Sequence, residues 1–97
     1  MLTSKQRSFL RSLAQKIEPI TQLGKTGVTP SFLDGLDAAL EKRELIKITV
    51  LENSGELPKE IGATIAEELG AEFVCATGRK LVFYRRSHND KVKHIEF

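Results

Sequence analysis

Leu45-Ile46-Lys47-Ile48-Thr49-Val50-Leu51 carries the clearest strand signal in the chain. It is rich in β-branched residues, and Ile46, Ile48 and Val50 recur at period two, which predicts a strand with those three on one face. Asn53-Ser54-Gly55 breaks it. Upstream, Thr29 is a helix N-cap and Pro30 suits the first helical position, where a missing N–H is no loss. Phe32, Leu33, Leu36, Ala39 and Leu40 then form an apolar stripe at helical spacing. Asp34 and Asp37 early in this helix, and Lys42 and Arg43 at its end, complement the helix dipole. Downstream, Leu57 and Pro58 open another helix, with Ile61, Ile65 and Leu69 every four residues and Gly70 as its terminator.

The outer segments complete the order. Thr3 and Gln6 have the spacing of a capping box, and Phe9, Leu10, Leu13 and Ile17 mark a first helix from Ser4 to about Lys16. Arg7 and Arg11 fall on nearly the opposite side, so this helix is expected to be amphipathic with a basic outer face. Pro19 stops it. Ile20-Thr21-Gln22-Leu23 reads as a short strand. Phe73-Val74-Cys75-Ala76 and Leu81-Val82-Phe83-Tyr84 read as two more, joined by the hairpin turn Thr77-Gly78-Arg79-Lys80. The order is α-β-α-β-α-β-β. It predicts an α/β two-layer sandwich with a four-stranded mixed sheet, parallel where helices join strands and antiparallel at the hairpin.

Ninety-seven residues and 10.8 kDa suit one domain. It is expected to span residues 1–86, with 87–97 a loose polar tail in which only Ile95 and Phe97 offer docking points. Apolar residues are 40% and charged residues 29%, which fits a globular chain and not a disordered one. No apolar run is long enough for a membrane span, and Leu2-Thr3-Ser4-Lys5-Gln6-Arg7 has no signal-peptide core. A single cysteine, Cys75, suits a reducing cytoplasm.

The formal charge of +2 hides a segregation. Residues 1–29 carry five bases and one acid, residues 30–72 four bases and ten acids, and residues 73–97 six bases and two acids. The blocks are therefore +4, −6 and +4. Such asymmetry points to a basic face on a nearly neutral chain.

Nothing marks an active site. Cys75 sits mid-strand in apolar company and reads as a small core residue. His88 and His94 lie in the tail, without a ligand set at zinc spacing. Glu41, Glu44, Glu60, Glu67 and Glu68 read as solvated helix positions. Gly24-Lys25-Thr26 has the end of a phosphate-binding P-loop, but the glycine that motif needs five residues earlier is Pro19. No catalysis, metal, cofactor or small-molecule substrate is expected.

Gly24-Lys25-Thr26-Gly27 reads better as a GxxG loop. Two glycines let the backbone approach a phosphate, and the loop feeds a helix N-terminus, whose free N–H groups favour an anion. Lys25 adds a flexible charge and Thr26 a hydroxyl. KH domains clamp a nucleic-acid backbone with such a loop. Lys5, Arg7, Arg11 and Lys16 form one basic cluster, and Arg79, Lys80, Arg85 and Arg86 another. Together with the loop they point to RNA, expected to be held through shape and phosphates, since the chain has no Trp and one Tyr.

Several motifs together resemble the YhbY family, the stand-alone form of the CRM domain (chloroplast RNA splicing and ribosome maturation). They are Leu2-Thr3-Ser4-Lys5-Gln6-Arg7 with Leu10-Arg11, then Leu23-Gly24-Lys25-Thr26-Gly27-Val28-Thr29. Ala39-Leu40 with Glu44-Leu45-Ile46-Lys47-Ile48 follows, and Gly70-Ala71 and Gly78…Leu81-Val82-Phe83-Tyr84-Arg85 close the match. The resemblance covers residues 2–86. It departs at Thr77, where the family has a larger aliphatic residue before its glycine. It implies a fold similar to the C-terminal domain of bacterial translation initiation factor three. It also implies RNA binding, association with precursors of the large ribosomal subunit, and no enzymatic activity. Gly24, Lys25, Thr26 and Gly27 match the family's RNA-contact loop.

The reading is therefore a small cytoplasmic RNA-binding protein, expected to be a monomer, that assists large-subunit assembly by binding ribosomal RNA. Its expected contacts are Gly24, Lys25, Thr26, Gly27, Lys5, Arg7, Arg11, Arg79 and Lys80. A rival is a protein-interaction module that turns its acidic helices to a ribosomal protein or assembly factor. A DNA binder ranks below both, because no helix joins a basic face to a base-reading side-chain pattern.

Overall fold

The computed structural model describes residues 2–97. Along the chain lie α1 (Ser4–Ala14), β1 (Thr21–Leu23), α2 (Pro30–Arg43) and β2 (Leu45–Val50). A 3-10 turn at Glu52–Ser54, α3 (Pro58–Leu69), β3 (Glu72–Thr77) and β4 (Lys80–Tyr84) follow. The element order is the expected α-β-α-β-α-β-β. The strands form one mixed sheet in the order β1-β2-β4-β3. β1 runs parallel to β2, while β4 is antiparallel to both β2 and β3.

Ile46, Ile48 and Val50 are fully buried on one face of β2. They pack with Leu36 and Leu40 of α2, Ile61, Ile65 and Leu69 of α3, and Leu81 and Phe83 of β4. Each such side chain contributes about 1.5–3 kcal/mol by leaving water. Gly62 of α3 lets that helix sit on the sheet, because a Cβ there would stand 2.6 Å from the Phe73 ring. This is the expected layer of helices on sheet. The opposite face has its own cover, so α1 adds a third layer. Leu10 and Ala14 of α1 pack on Leu45, Val74, Val82 and Tyr84, the alternate positions of the same strands. A bulge between Phe73 and Cys75 shifts the β3 register, so Val74 and Cys75 both join this second cluster.

The caps follow the local sequence. Thr3 and Gln6 form the reciprocal capping box, with bonds of 3.0 and 3.1 Å. Thr29 caps α2 through the Phe32 N–H, with Pro30 in the first turn. Gly70 ends α3 at φ +62°. The first helix stops at Ala14, earlier than Pro19 would require, and two turn bonds to Leu13 and Ala14 carry the chain on. Lys47 Nζ donates to the Ala14 carbonyl at 3.1 Å, satisfying a helix end that a longer α1 would have covered.

The segment after Ser87 is fastened where a loose tail was expected. Glu44 is fully buried, not solvated, and its carboxylate accepts the N–H groups of Ser87 (2.8 Å) and Ile95 (2.7 Å) and meets the His94 ring. His88 donates its N–H to Glu41 at 3.0 Å. Ile95 packs with the α1 cluster, and the Phe97 ring makes edge contacts with Phe9 and Tyr84. Local composition marks residues 87–97 as polar, but the acceptor that orders them stands at the end of α2.

Candidate nucleic-acid interface

Gly24-Lys25-Thr26-Gly27 is a tight turn closed by the Gly27 N–H on the Gly24 carbonyl at 3.0 Å. Gly27 adopts φ +78°, a conformation that disfavours any Cβ. Lys25 and Thr26 are exposed at the apex. The turn leaves β1 and leads through Val28 to the N-terminus of α2.

The sheet register decides what stands beside this loop. Leu23 pairs with Val50, and Thr49 pairs with Lys80. The C-terminal ends of β1 and β2 and the β3–β4 turn therefore share one end of the sheet. Leu51 donates its N–H to the Leu23 carbonyl at 2.9 Å, and Val50 donates to the Arg79 carbonyl at 2.7 Å. Val50 and Leu51 thus lie between the GxxG turn and the hairpin turn.

Below that end, on the α1 face, a hollow of about 230 Å³ opens beyond the last turn of α1. Arg11 and Gln15 line one side, and Lys47, Thr77 and Lys80 line the other. Arg11 and Lys80 are exposed and Lys47 is half-buried. Lys47 is a cation the charge pattern alone did not single out. Its signal was its place between Ile46 and Ile48, which sends it to the opposite face of β2.

The expected contact residues separate into two groups. Lys25, Thr26, Arg11 and Lys80 have exposed side chains around one end of the molecule. Lys5 is also exposed, but at the first turn of α1, where it lines a different hollow with Phe9 and Phe97. The other two arginines have guanidinium groups engaged by the fold. Arg7 Nη1 donates to the carbonyls of Phe73 (2.6 Å) and Val74 (2.8 Å), so it turns inward to the β3 bulge and not to the outer face of α1. Arg79 donates from Nε to Val50 (2.6 Å) and from Nη2 to Leu51 (3.1 Å) and Glu56 (3.3 Å), all backbone carbonyls.

The acids of α2 and α3 lie on the far side. Asp34, Glu60, Glu67 and Glu68 are exposed on α2 and α3, which cover the other face of the sheet. Asp37 and Glu41 on α2 are partnered by Arg85 at 2.7 and 3.1 Å. The His88 N–H, with the His88 ring and Arg85 beside it, holds the Glu41 carboxyl below its ordinary value despite some desolvation. The exposed acids of α2 and α3 are thus on the face opposite the Arg11–Lys80 hollow, and the GxxG turn stands at an end next to that hollow.

The chain as a whole has relatives. The family model described as the CRS1/YhbY (CRM) domain matches residues 2–85. The chain belongs to that family. A CRM relative from Bacillus subtilis, named "Probable RNA-binding protein YqeI", is 38% identical over 91 residues, covering 94% of this chain and 95% of its own. A second, from Haemophilus influenzae and named "RNA-binding protein", is 36% identical over 92 residues, covering 95% and 93%. The solution structure of the Staphylococcus aureus protein SAV1595 superposes with a TM-score of 0.74 at 38% identity, covering 98% of this CRM domain and all of that chain. The GxxG turn and the groove beside it lie within the matched residues.

Proposed function

We propose that this CRM domain is a non-catalytic RNA-binding protein that holds structured ribosomal RNA in precursors of the large ribosomal subunit. The observation that carries the reading is the adjacency of the GxxG turn to the groove of Arg11, Lys47 and Lys80, with the exposed acids of α2 and α3 on the opposite face. The naming of relatives as RNA-binding proteins supports it.

The turn offers backbone N–H groups and the start of α2 to a phosphate, and Lys25 supplies the charge. Arg11 and Lys80 extend the track along the sheet face. Tyr84 is buried, and of the five phenylalanines only Phe9 and Phe97 are exposed, at the far end of α1. Recognition at the loop therefore relies on backbone shape and charge and not on stacked bases.

The test is a Lys25→Ala titration against structured ribosomal RNA over a range of salt. Loss of one phosphate contact is expected to weaken binding and lower the salt slope by up to about one. Unchanged affinity and slope remove the loop from the interface. Co-sedimentation from the cytoplasm with large-subunit precursors, before and after ribonuclease, tests the assembly role. Release by ribonuclease is expected, whereas retention would assign the contact to the acidic helices and a protein partner.

A further inference from the structure

We infer that the open edge of β1 is a docking site for an extended segment of a protein partner, which adds to the sheet as a fifth strand. The site would take an apolar side chain flanked by carboxylates. Its hollows lie at the entry to β1, whereas the GxxG turn follows the last residue of that strand.

The two edges of the sheet are treated differently. β3 is the far edge, and it carries a bulge with the Arg7 guanidinium fastened on two of its carbonyls. Bulges and charges are the usual means of blunting an edge. β1, at the other edge, has neither, and its shortness, three residues, is what limits pairing there to one outward-facing residue. Its Leu23 carbonyl points to β2, where it accepts the Leu51 N–H. Because backbone groups alternate along a strand, the N–H and carbonyl of Gln22 face outward. Gln22 and Thr21 are both exposed.

An added strand needs room for side chains on both faces of the sheet, and a hollow opens on each face at the entry to β1. On the α1 face an apolar hollow of about 670 Å³ is lined by Leu13, Ile17, Ile20, Leu45 and Ile95. On the α2 face a smaller one of about 260 Å³ is lined by Ile20, Thr21, Phe32 and Leu36. Ile20, at the entry to β1, borders both. In strand addition, main-chain bonds supply affinity, and hollows for alternate side chains supply selectivity.

Charge selects the occupant. Lys16 and Arg43 stand at the larger hollow, both exposed, against the single acid Glu18. Among the described residues neither cation has an ion-pair partner. A strand placing a leucine in the larger hollow therefore gains from carboxylates two positions before and after it, on the same face.

The probe is the peptide acetyl-TEVLTET-amide, titrated into the full chain and followed by amide NMR shifts. Saturable shifts at Ile17, Ile20–Leu23, Phe32 and Ile95 are expected, with slowed exchange of the Gln22 amide. The charge-inverted peptide acetyl-TKVLTKT-amide should bind about tenfold more weakly, the loss of roughly 1.4 kcal/mol. Gln22→Pro removes the outward N–H without touching a β1–β2 bond, and should weaken the first peptide by about three- to tenfold. A Lys16→Glu/Arg43→Glu double variant should reverse the preference between the two peptides, whatever the folding of the proline variant. The inference is overturned by equal binding of the two peptides to the native chain, by shifts elsewhere, or by self-association through β1 in place of peptide binding. Displacement of the peptide by structured RNA from these same positions would assign the edge to nucleic acid and also overturn it.

Discussion

The ring of His94 meets the carboxylate of Glu44 across fifty residues of chain, inside a site where Glu44 has no exposure to solvent. Glu44 terminates α2 at φ +65°, a conformation unfavourable for a residue with a Cβ. Its main chain is tied at both ends, by its N–H to the Leu40 carbonyl and by its carbonyl to the Arg85 N–H. Its carboxylate collects Ser87, His94 and Ile95. One residue thus joins the end of α2, the start of β2 and the C-terminal segment.

Glu44→Ala is accordingly expected to be among the most damaging single changes. It leaves the Ser87 and Ile95 N–H groups and the His94 ring without their acceptor, at a cost of about 3 kcal/mol. For a chain of this size that lowers Tm by more than about 10 °C. His94→Ala loses one contact only and should cost about 1 kcal/mol. Urea unfolding of the two variants separates the cases, and equal losses would deny Glu44 its central place.

Acid is expected to loosen the same region. Burial alone would push the Glu44 carboxyl up, but the His94 ring and the Ser87 and Ile95 N–H groups together hold it below its ordinary 4.5. Glu41 is also held low, chiefly by the His88 N–H. A carboxyl lowered by folding contributes stability that is complete above its unfolded value and is lost as pH falls through the folded one. Stability should therefore hold down to about pH 5 and decline below it. Amide exchange at Ser87 and Ile95 should accelerate first, and Glu44→Gln should flatten the decline.

Neighbouring cations in the hairpin should behave in opposite ways. Arg79→Ala strips three carbonyls of a donor and should cost about 2 kcal/mol of stability. Arg79→Lys keeps the charge, loses the fork, and should recover little of it. Lys80→Ala should leave stability within about 0.5 kcal/mol while lowering RNA affinity and its salt slope. Thermal melts beside salt-dependent binding curves would show the division.

The two glycines of the loop should also differ. A Cβ at Gly24 meets only Leu51 Cδ1, at an ordinary 3.6 Å, so Gly24→Ala should fold normally. Any loss of RNA affinity in that variant then reports a methyl between backbone and phosphate. At Gly27 a Cβ has open space, but φ +78° opposes it. Gly27→Ala should cost about 1 kcal/mol and disturb the turn itself. Melting temperature and RNA affinity measured together distinguish the two effects.

Much of the fold was legible along the chain, because its signals are local. The Thr3–Gln6 box, the Thr29-Pro30 helix start, the Gly70 stop and the period-two face of Ile46, Ile48 and Val50 each involve residues within one or two turns. The GxxG turn was legible for the same reason. What it stands beside was not, since that depends on the pairing of Leu23 with Val50 and of Thr49 with Lys80.

Periodicity, caps and composition along the chain are enough for the seven elements, their order and the blocks of charge. Which charges remain free depends on contacts between distant parts of the folded chain. Arg7 and Arg79 read as surface cations, yet their acceptors are carbonyls 66 and 29 residues away that become available only once the strands are in register. Glu44 read as a solvated acid, yet it is buried because the C-terminal segment returns to it with two N–H groups and a ring. Periodicity reports which side of an element a residue occupies. Whether a charged group there faces water depends on unpaired backbone groups brought from elsewhere, and these exist only in the assembled fold.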